Sequence, residues 1–437
     1  MAKNNVIHNA KWIIGCKILQ AFLNLVIGML SARYLGPSDY GLINYAASLV
    51  AFVVPIMQLG LRSTLVREII VAPEKEGEIL GTAVIMNMVS AVACVAMVIS
   101  FSAVANFNEP RTILVCALYS TLLFFQAIEI MQYWFQAKLK SKYPSLAMLG
   151  GYVVASVYKL YLLITRKSVF WFVVTHTIES AIIAVALLVI YRRIGEQRLT
   201  CSRTMASELF SKSKYYIISS LMVKVFQNTD HIMIKLMIDD VANGYYTAAV
   251  TCAGVCTFVF AAIIDSARPV ILESRQVSTE VFEKKLVKLY SIIIYAALLQ
   301  SVAFTVLAKP IMLILYGSDY SAAIPVLRIV VWYSAFSYMG TVRNIWILSE
   351  GKQHVLWIVN LSGAVMNVIL NGCLIPVMGA SGAALASVLT QFFTNYVVSY
   401  FIKEIRFTNT FVHRALNLRL LAEMVSEYLG RNNVREK

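Results

Sequence analysis

A chain of 437 residues that is 59% hydrophobic and only 14% charged, with a mean hydropathy of +0.71, differs from soluble domains, which carry about 25% charge and about 45–50% apolar residues. This balance excludes a soluble enzyme and places the apolar excess in a bilayer. The net charge of +15 then reports membrane topology, and no nucleic-acid partner is expected.

The first ten residues are polar and no small-residue cleavage pattern follows, so a removable signal segment is not expected. Residues 79–108 contain no Asp, Glu, Lys or Arg, and a helix needs roughly 20 apolar residues to cross about 30 Å of hydrocarbon. Apolar runs between turn clusters predict twelve spans: about 11–33, 42–66, 79–104, 112–135, 145–165, 169–190, 215–236, 245–267, 287–308, 322–348, 354–375 and 381–402. Turn signals separate them, as at Gly36-Pro37-Ser38-Asp39 and Asn108-Glu109-Pro110. With the N-terminus inside, cytoplasmic segments hold 26 Lys and Arg and the opposite side five. That asymmetry supports the number of spans and puts both termini in the cytoplasm. Arg166 and Lys167 are the local dissent.

The long basic connection after Tyr191 divides the chain into two six-helix halves and reads as a hinge. The expected organisation is an N-terminal lobe at 1–195, a cytoplasmic linker at 196–212, a C-terminal lobe at 213–402 and a basic amphipathic tail at 403–437, in which Leu416, Leu420, Leu421, Met424, Val425 and Tyr428 recur at helical spacing. Segments 39–47 and 241–249 resemble each other loosely. Parallel repeats of this kind bind substrate between the halves near the midplane. Six of the seven cysteines lie in apolar runs and Cys201 in the basic loop; without CxxC or Cys/His spacing, thiols and no metal site are expected.

Seven cations fall within spans: Lys17, Arg62, Lys159, Lys224, Lys235, Arg328 and Arg343, against the acids Glu129, Glu179, Asp230 and Asp265. Each charge costs about 2.5–3.5 kcal/mol at a helix centre, so each needs water or a partner. On span seven Ser220, Lys224, Gln227, Asn228, His231 and Lys235 share one stripe at 100° per residue, which predicts a face on a wet cavity. Lys17, Gln20, Asn24, Gly28 and Ser31 repeat the design on span one, where Lys17 could instead reach the cytoplasmic interface, as could Arg62 and Arg343. A structural pairing of Lys224, with Asp230 or with an acid on another helix, is the alternative for the stripe. Span four presents Gln126, Glu129, Gln132, Tyr133 and Gln136 on one face. For Glu129 and Lys159 the alternatives are an ion pair holding the first half together and a titrating carboxylate that couples a proton or sodium ion. His176 and Glu179 are read as packing, Asp265 as a partner of Arg268, and Asn360, Asn367 and Asn371 as hydrogen-bonding groups between helices. No phosphate loop, GxSxG or HExxH occurs, so neither catalytic residues nor a cofactor are expected.

Ala32-Arg33-Tyr34-Leu35-Gly36-Pro37-Ser38-Asp39-Tyr40-Gly41, Leu59-Gly60-Leu61 and Val66-Arg67-Glu68 resemble segments of the Wzx-type polysaccharide-unit (O-antigen) flippases. So do Leu315-Tyr316-Gly317-Ser318-Asp319-Tyr320, Pro325-Val326-Leu327-Arg328, Ile375-Pro376 and Gly379-Ala380-Ser381-Gly382-Ala383-Ala384. The resemblance implies the multidrug/oligosaccharidyl-lipid/polysaccharide exporter superfamily. It implies an all-α polytopic fold of two six-helix lobes around a central cavity, and alternating access in the bacterial inner membrane. It also implies transfer of undecaprenyl-diphosphate-linked oligosaccharide between leaflets, for O-antigen or another surface polysaccharide, among membrane lipids and with polysaccharide polymerase machinery as a further partner. The substrate-binding cations expected from the charge reading are Lys17, Arg62, Lys224, His231, Lys235 and Arg328. A multidrug and toxin extruder-type antiporter is the alternative, disfavoured by the excess of cations over acids; a membrane-embedded glycan polymerase or transferase is a second.

Overall fold

The computed structural model describes the backbone of residues 2–417 and their side chains outside 2–14, 17, 18 and 219. These residues fold into helices, with no strand among them. Contacts group the chain into two compact units, residues 1–247 and 248 onward.

The first unit contains α1 (Ala2–Met57), α2 (Leu61–Val71), α3 (Glu76–Ala105), α4 (Pro110–Ser120), α5 (Leu122–Glu129), α6 (Gln132–Ala137), α7 (Lys142–Ile164), α8 (Val169–Ile194), α9 (Arg203–Met237) and the start of α10 (Asp240–Ala253). The turn predicted at 36–39 is a break at one residue. Gly36 takes φ 73 and ψ 173, open to glycine alone at little cost, and Pro37 restarts the helix, where its missing N–H is not needed. Span four is three short helices, α4 to α6. Association in a bilayer rests on packing and interhelical hydrogen bonds, and both are present. Tyr45, Met57, Leu123 and Phe172 share one buried cluster, Leu61, Leu65, Trp134 and Phe135 another. Asn106 Nδ2 donates to Tyr45 Oη at 2.9 Å, and Ser90 Oγ to the Ile56 carbonyl at 3.2 Å. On α3 the polar Asn87 is fully buried while Val89 and Val92 are exposed, as a lipid-facing helix requires.

The connection expected to act as a hinge is docked along α3. Gln197 accepts from Gly77 N at 2.9 Å and donates to the Pro73 carbonyl at 3.0 Å; Thr200 N donates to Gly77 O at 3.2 Å, and Ser202 N to Thr82 Oγ1 at 3.1 Å. Gly77 and Gly81, one turn apart, let this backbone approach: a Cβ on Gly81 would stand 2.8 Å from Thr200 N. Beyond it α9 is anchored to α2 by Lys212, which meets Glu68 at 2.8 Å.

The second unit continues α10 and adds α11 (Thr257–Val277), α12 (Thr279–Leu315), α13 (Ala323–Val330), α14 (Tyr333–Ser349), α15 (Leu356–Met378), α16 (Ala380–Phe392), α17 (Val398–Phe401) and α18 (Thr408–Ala415). Residues 393–397 form a π turn between α16 and α17. Arg343 does not reach for an interface: it is buried, and its guanidinium donates to the Thr394 carbonyl at 3.0 Å, Ser399 Oγ at 3.3 Å and Asn395 Oδ1 at 3.3 Å. The π turn supplies partners that a cation deep in an apolar bundle needs. Asn371 donates to Asn367 within α15 at 3.1 Å, and Asp265 meets Arg268 at 3.2 Å. Of the expected amphipathic tail only α18 falls in the described part, with Phe411, Val412 and Ala415 buried and Arg414 on Glu283 at 3.2 Å; Leu420, Leu421, Met424, Val425 and Tyr428 lie outside the described residues.

Nine helical stretches among the described residues are long and apolar enough to cross a bilayer, where twelve spans were expected. Three features account for the difference. Leu19–Val71 counts as one stretch through the Gly36 break, α9 is made too polar by its Lys, Gln, Asn and His stripe, and the expected span at 381–402, interrupted by the π turn at 393–397, is not among the nine.

Candidate functional site

A cavity of about 330 Å³ opens within the first unit, between α1, α4 to α6 and α9. Its polar lining is Gln58 from the end of α1, Tyr119 from α4, Gln126 and Glu129 from α5, Gln132 and Tyr133 from α6, and Lys224 from α9. Four of the five residues on the polar face read in span four therefore meet in one place; Gln136 is not among them. Helical spacing explains it, because 126, 129 and 133 recur every three to four residues, and the turn at 130–131 brings Gln132 round to the same wall. Volumes of about 300–1,000 Å³ accommodate small ligands or part of a larger one.

Lys224 is half-buried, and its ammonium donates to Gln227 Oε1 at 3.4 Å, with no carboxylate at ion-pairing distance among the described residues. The structural alternative, pairing with Asp230, does not form: Asp230 accepts from the Tyr246 hydroxyl. Arg62 is exposed and lies over the ring of Tyr133, 5.7 Å from its centroid; it does not itself line the cavity. Glu129 lines the same cavity and keeps a buried Oε1 without a hydrogen-bond partner. It does not pair with Lys159. The acid facing Lys159 is Glu179, and Ser180 is the hydroxyl beside Glu129. His176 packs its ring on Tyr119 at 5.1 Å, behind the cavity wall.

The upper members of the α9 stripe leave the cavity. His231 Nδ1 bonds Asn243 Oδ1 at 2.9 Å, and Asn243 Nδ2 donates to the Gly41 carbonyl at 2.8 Å. Lys235, almost fully buried, donates to Glu109 Oε2 at 2.6 Å and Asp240 Oδ2 at 3.0 Å. Lys235 and the Thr112 hydroxyl together hold the Glu109 carboxyl below its ordinary range. This cluster sits where the ends of α3, α4, α9 and α10 meet the Gly36 break. Here α1 and α10 touch backbone to backbone: a Cβ on Gly41 would lie 2.7 Å from Gly244 N, and one on Gly244 would lie 2.7 Å from the Pro37 carbonyl carbon. The two loosely similar segments noted in the sequence thus meet at their glycines.

Of the expected cations, Lys224 lines the cavity and Arg62 touches it only through the ring of Tyr133, whereas His231 and Lys235 join the cluster beyond it. Arg328 is exposed on α13 in the second unit, and the side chain of Lys17 lies outside the described residues. Sequence reasoning missed Gln58 and Tyr119 as lining and Glu109 and Asp240 as partners of Lys235. A signal for the last two was present: both acids stand at span ends level with Lys235.

Solved structures share this fold. The lipid II flippase MurJ, in an inward closed conformation, superposes with a TM-score of 0.72 at 13% identity, covering 95% of this chain and 92% of that one. An inward-facing multidrug resistance MATE family transporter of the MOP superfamily gives 0.70 at 12% identity over 91% and 95%. The Vibrio cholerae MATE transporter VcmN gives 0.60 at 11% identity over 94% and 98%. Comparison with curated protein sequences yields no match. The chain shares the fold of these membrane transporters, and its long apolar helices make it a multi-pass membrane protein. Residues 6–274 match the family model described as polysaccharide biosynthesis protein, and the chain belongs to that family.

Proposed function

We propose that the protein moves lipid-linked oligosaccharide units, carried on undecaprenyl diphosphate, from the cytoplasmic to the periplasmic leaflet of the bacterial inner membrane by alternating access. The observation that carries the reading is Lys224: a cation with no carboxylate at ion-pairing distance among the described residues, facing a cavity whose polar lining is three amides, two phenols and one acid and whose remaining wall is aliphatic. An ammonium is a mobile point charge suited to a phosphate in transit, while Gln and Tyr offer the donors and acceptors that sugar hydroxyls need. Family membership and the flippase fold support the same class of passenger. The 26-to-5 distribution of cations supports twelve spans in two six-helix lobes with both termini cytoplasmic. O-antigen is one surface polysaccharide that such units build.

The test is glycan export per molecule of membrane-inserted protein. Lys224→Ala should insert normally and lose most export, since a lost cavity charge eases insertion but leaves the diphosphate unpaired; Lys224→Arg should retain part. Unchanged export per molecule in Lys224→Ala would end the proposal.

A second role follows from Glu129. Its orphan carboxylate oxygen and its separation from Lys159 favour coupling of a proton or sodium ion over a structural ion pair. Glu129→Gln should then remove dependence of export on the ion gradient while leaving protein abundance unchanged. Lowered abundance with coupling intact would return Glu129 to packing.

A further inference from the structure

Helix α9 is held in the first unit at both ends by contacts of different kinds. Near Arg203 the hold is mainly close backbone approach, the 195–202 segment on Gly77 and Gly81 and a contact at Gly60, where a Cβ would stand 3.0 Å from Tyr216 Cβ, and its one ion pair to α2, Lys212 with Glu68, is solvent-exposed at the ammonium. Near Met237 the hold is ionic. Lys235 is 5% exposed at its side chain, Asp240 18% and Glu109 48%, so one carboxylate of the pair reaches solvent while the ammonium does not. Asp240 Oδ1 is buried with no partner, which leaves the site short of a donor. Two acids share one cation there, and an ammonium with three protons can exchange an acceptor without leaving the site.

From this asymmetry we propose that Lys235 latches the α9–α10 turn, and that it opens by exchanging Glu109 for a phosphate of the passenger. Lys235 is then a positioning residue: it rides about 16 Å beyond Lys224, 11 residues along the helix at 1.5 Å each, and meets the anion only on the way out. The exchange is charge-conserving, one oxyanion for another on the same ammonium, with no bond made or broken. The proposal rests on the reading of the passenger as a diphosphate, but the latch itself does not.

The test uses the full-length protein in membranes, with Ala47→Cys in the cavity wall as a reporter labelled by an impermeant thiol reagent from the side of the 106–109 and 238–239 turns; protein lacking Ala47→Cys gives the background. Lys235→Met and Glu109→Gln should each raise the labelling rate at least tenfold, and Lys235→Arg should keep it low. Inorganic pyrophosphate at constant ionic strength should raise labelling several-fold in protein with Lys235 and not in Lys235→Arg with Glu109→Gln, where the exchange partner is gone. Unchanged labelling in both neutralised variants would overturn the latch. Raised labelling in them, with no response to pyrophosphate when Lys235 is present, would overturn the exchange. Failure of the passenger reading would appear separately, as normal export per molecule in Lys224→Ala.

Discussion

Gly244→Ala is expected to damage the α1–α10 contact in proportion to a distance that can be read directly. The added methyl would stand 2.7 Å from the Pro37 carbonyl carbon and 2.9 Å from its Cα, with the carbonyl oxygen nearer still, where ordinary contacts begin at 3.4 Å. The backbones must part by about 0.7 Å or more to reach contact distance. The Asn243 to Gly41 hydrogen bond, 2.8 Å now, would stretch to about 3.5 Å and cease to count as one. Asn243 is fully buried, and a buried polar group left unpaired costs about 1–3 kcal/mol; overpacking adds about 1–3. Alanine's helix propensity returns about 1 kcal/mol, leaving a net loss of about 1–5 kcal/mol. The assay is the midpoint of thermal aggregation of detergent-solubilised protein, with Gly28→Ala and Gly150→Ala as controls, since a Cβ at either meets nothing within 4 Å. The controls should hold or raise the midpoint. Equal midpoints for Gly244→Ala and Gly150→Ala would refute the close-approach argument.

Gln197→Ala removes the side chain that bonds Gly77 N and Pro73 O, worth about 0.5–1.5 kcal/mol each, so tryptic cleavage at Arg198 should quicken about tenfold; an unchanged rate would mean the segment is held by other contacts. For the Glu109–Lys235 pair the folded carboxyl is depressed below its ordinary value of 4.5, so its contribution is complete above 4.5 and lost only as pH falls through the lower folded value. Spin labels at Phe107→Cys and Ile238→Cys should therefore give a constant spectrum from about pH 8 to 5 and a change only in stronger acid; a transition near neutrality would show that another group controls the turn.

What was legible in the sequence was whatever a period or a composition encodes. The charge-free run at 79–108 became α3 and its lipid face, and the 126, 129 and 133 spacing became a cavity wall, because a helix carries its faces in its own sequence. Pairings across helices were not legible. Nothing local distinguishes Glu179 from Glu129 as the neighbour of Lys159, since both are acids in apolar runs on other helices. The docking of the 195–202 segment was illegible for a related reason: a basic, polar stretch looks like a tether, but Gly77 and Gly81 had already cut a groove for it 120 residues earlier, and a groove is recognised only with its occupant in place.

The cations on α9 avoid lipid in two different ways. Insertion cost demands that Lys224, His231 and Lys235 avoid lipid, and all three do, but avoidance has two physical solutions: water or a partner. Lys224 takes the first, in a cavity large enough to hydrate an ammonium, and Lys235 the second, between two carboxylates. Removing Lys235 strands Asp240, only 18% exposed at its side chain, without its cation while Glu109 turns to solvent, whereas removing Lys224 strands no carboxylate. The same substitution should thus lower abundance or loosen the turn at 235 and lower only transport at 224. If Lys224→Met and Lys235→Met changed membrane abundance equally, the distinction between a wet cation and a paired one would not hold in this helix.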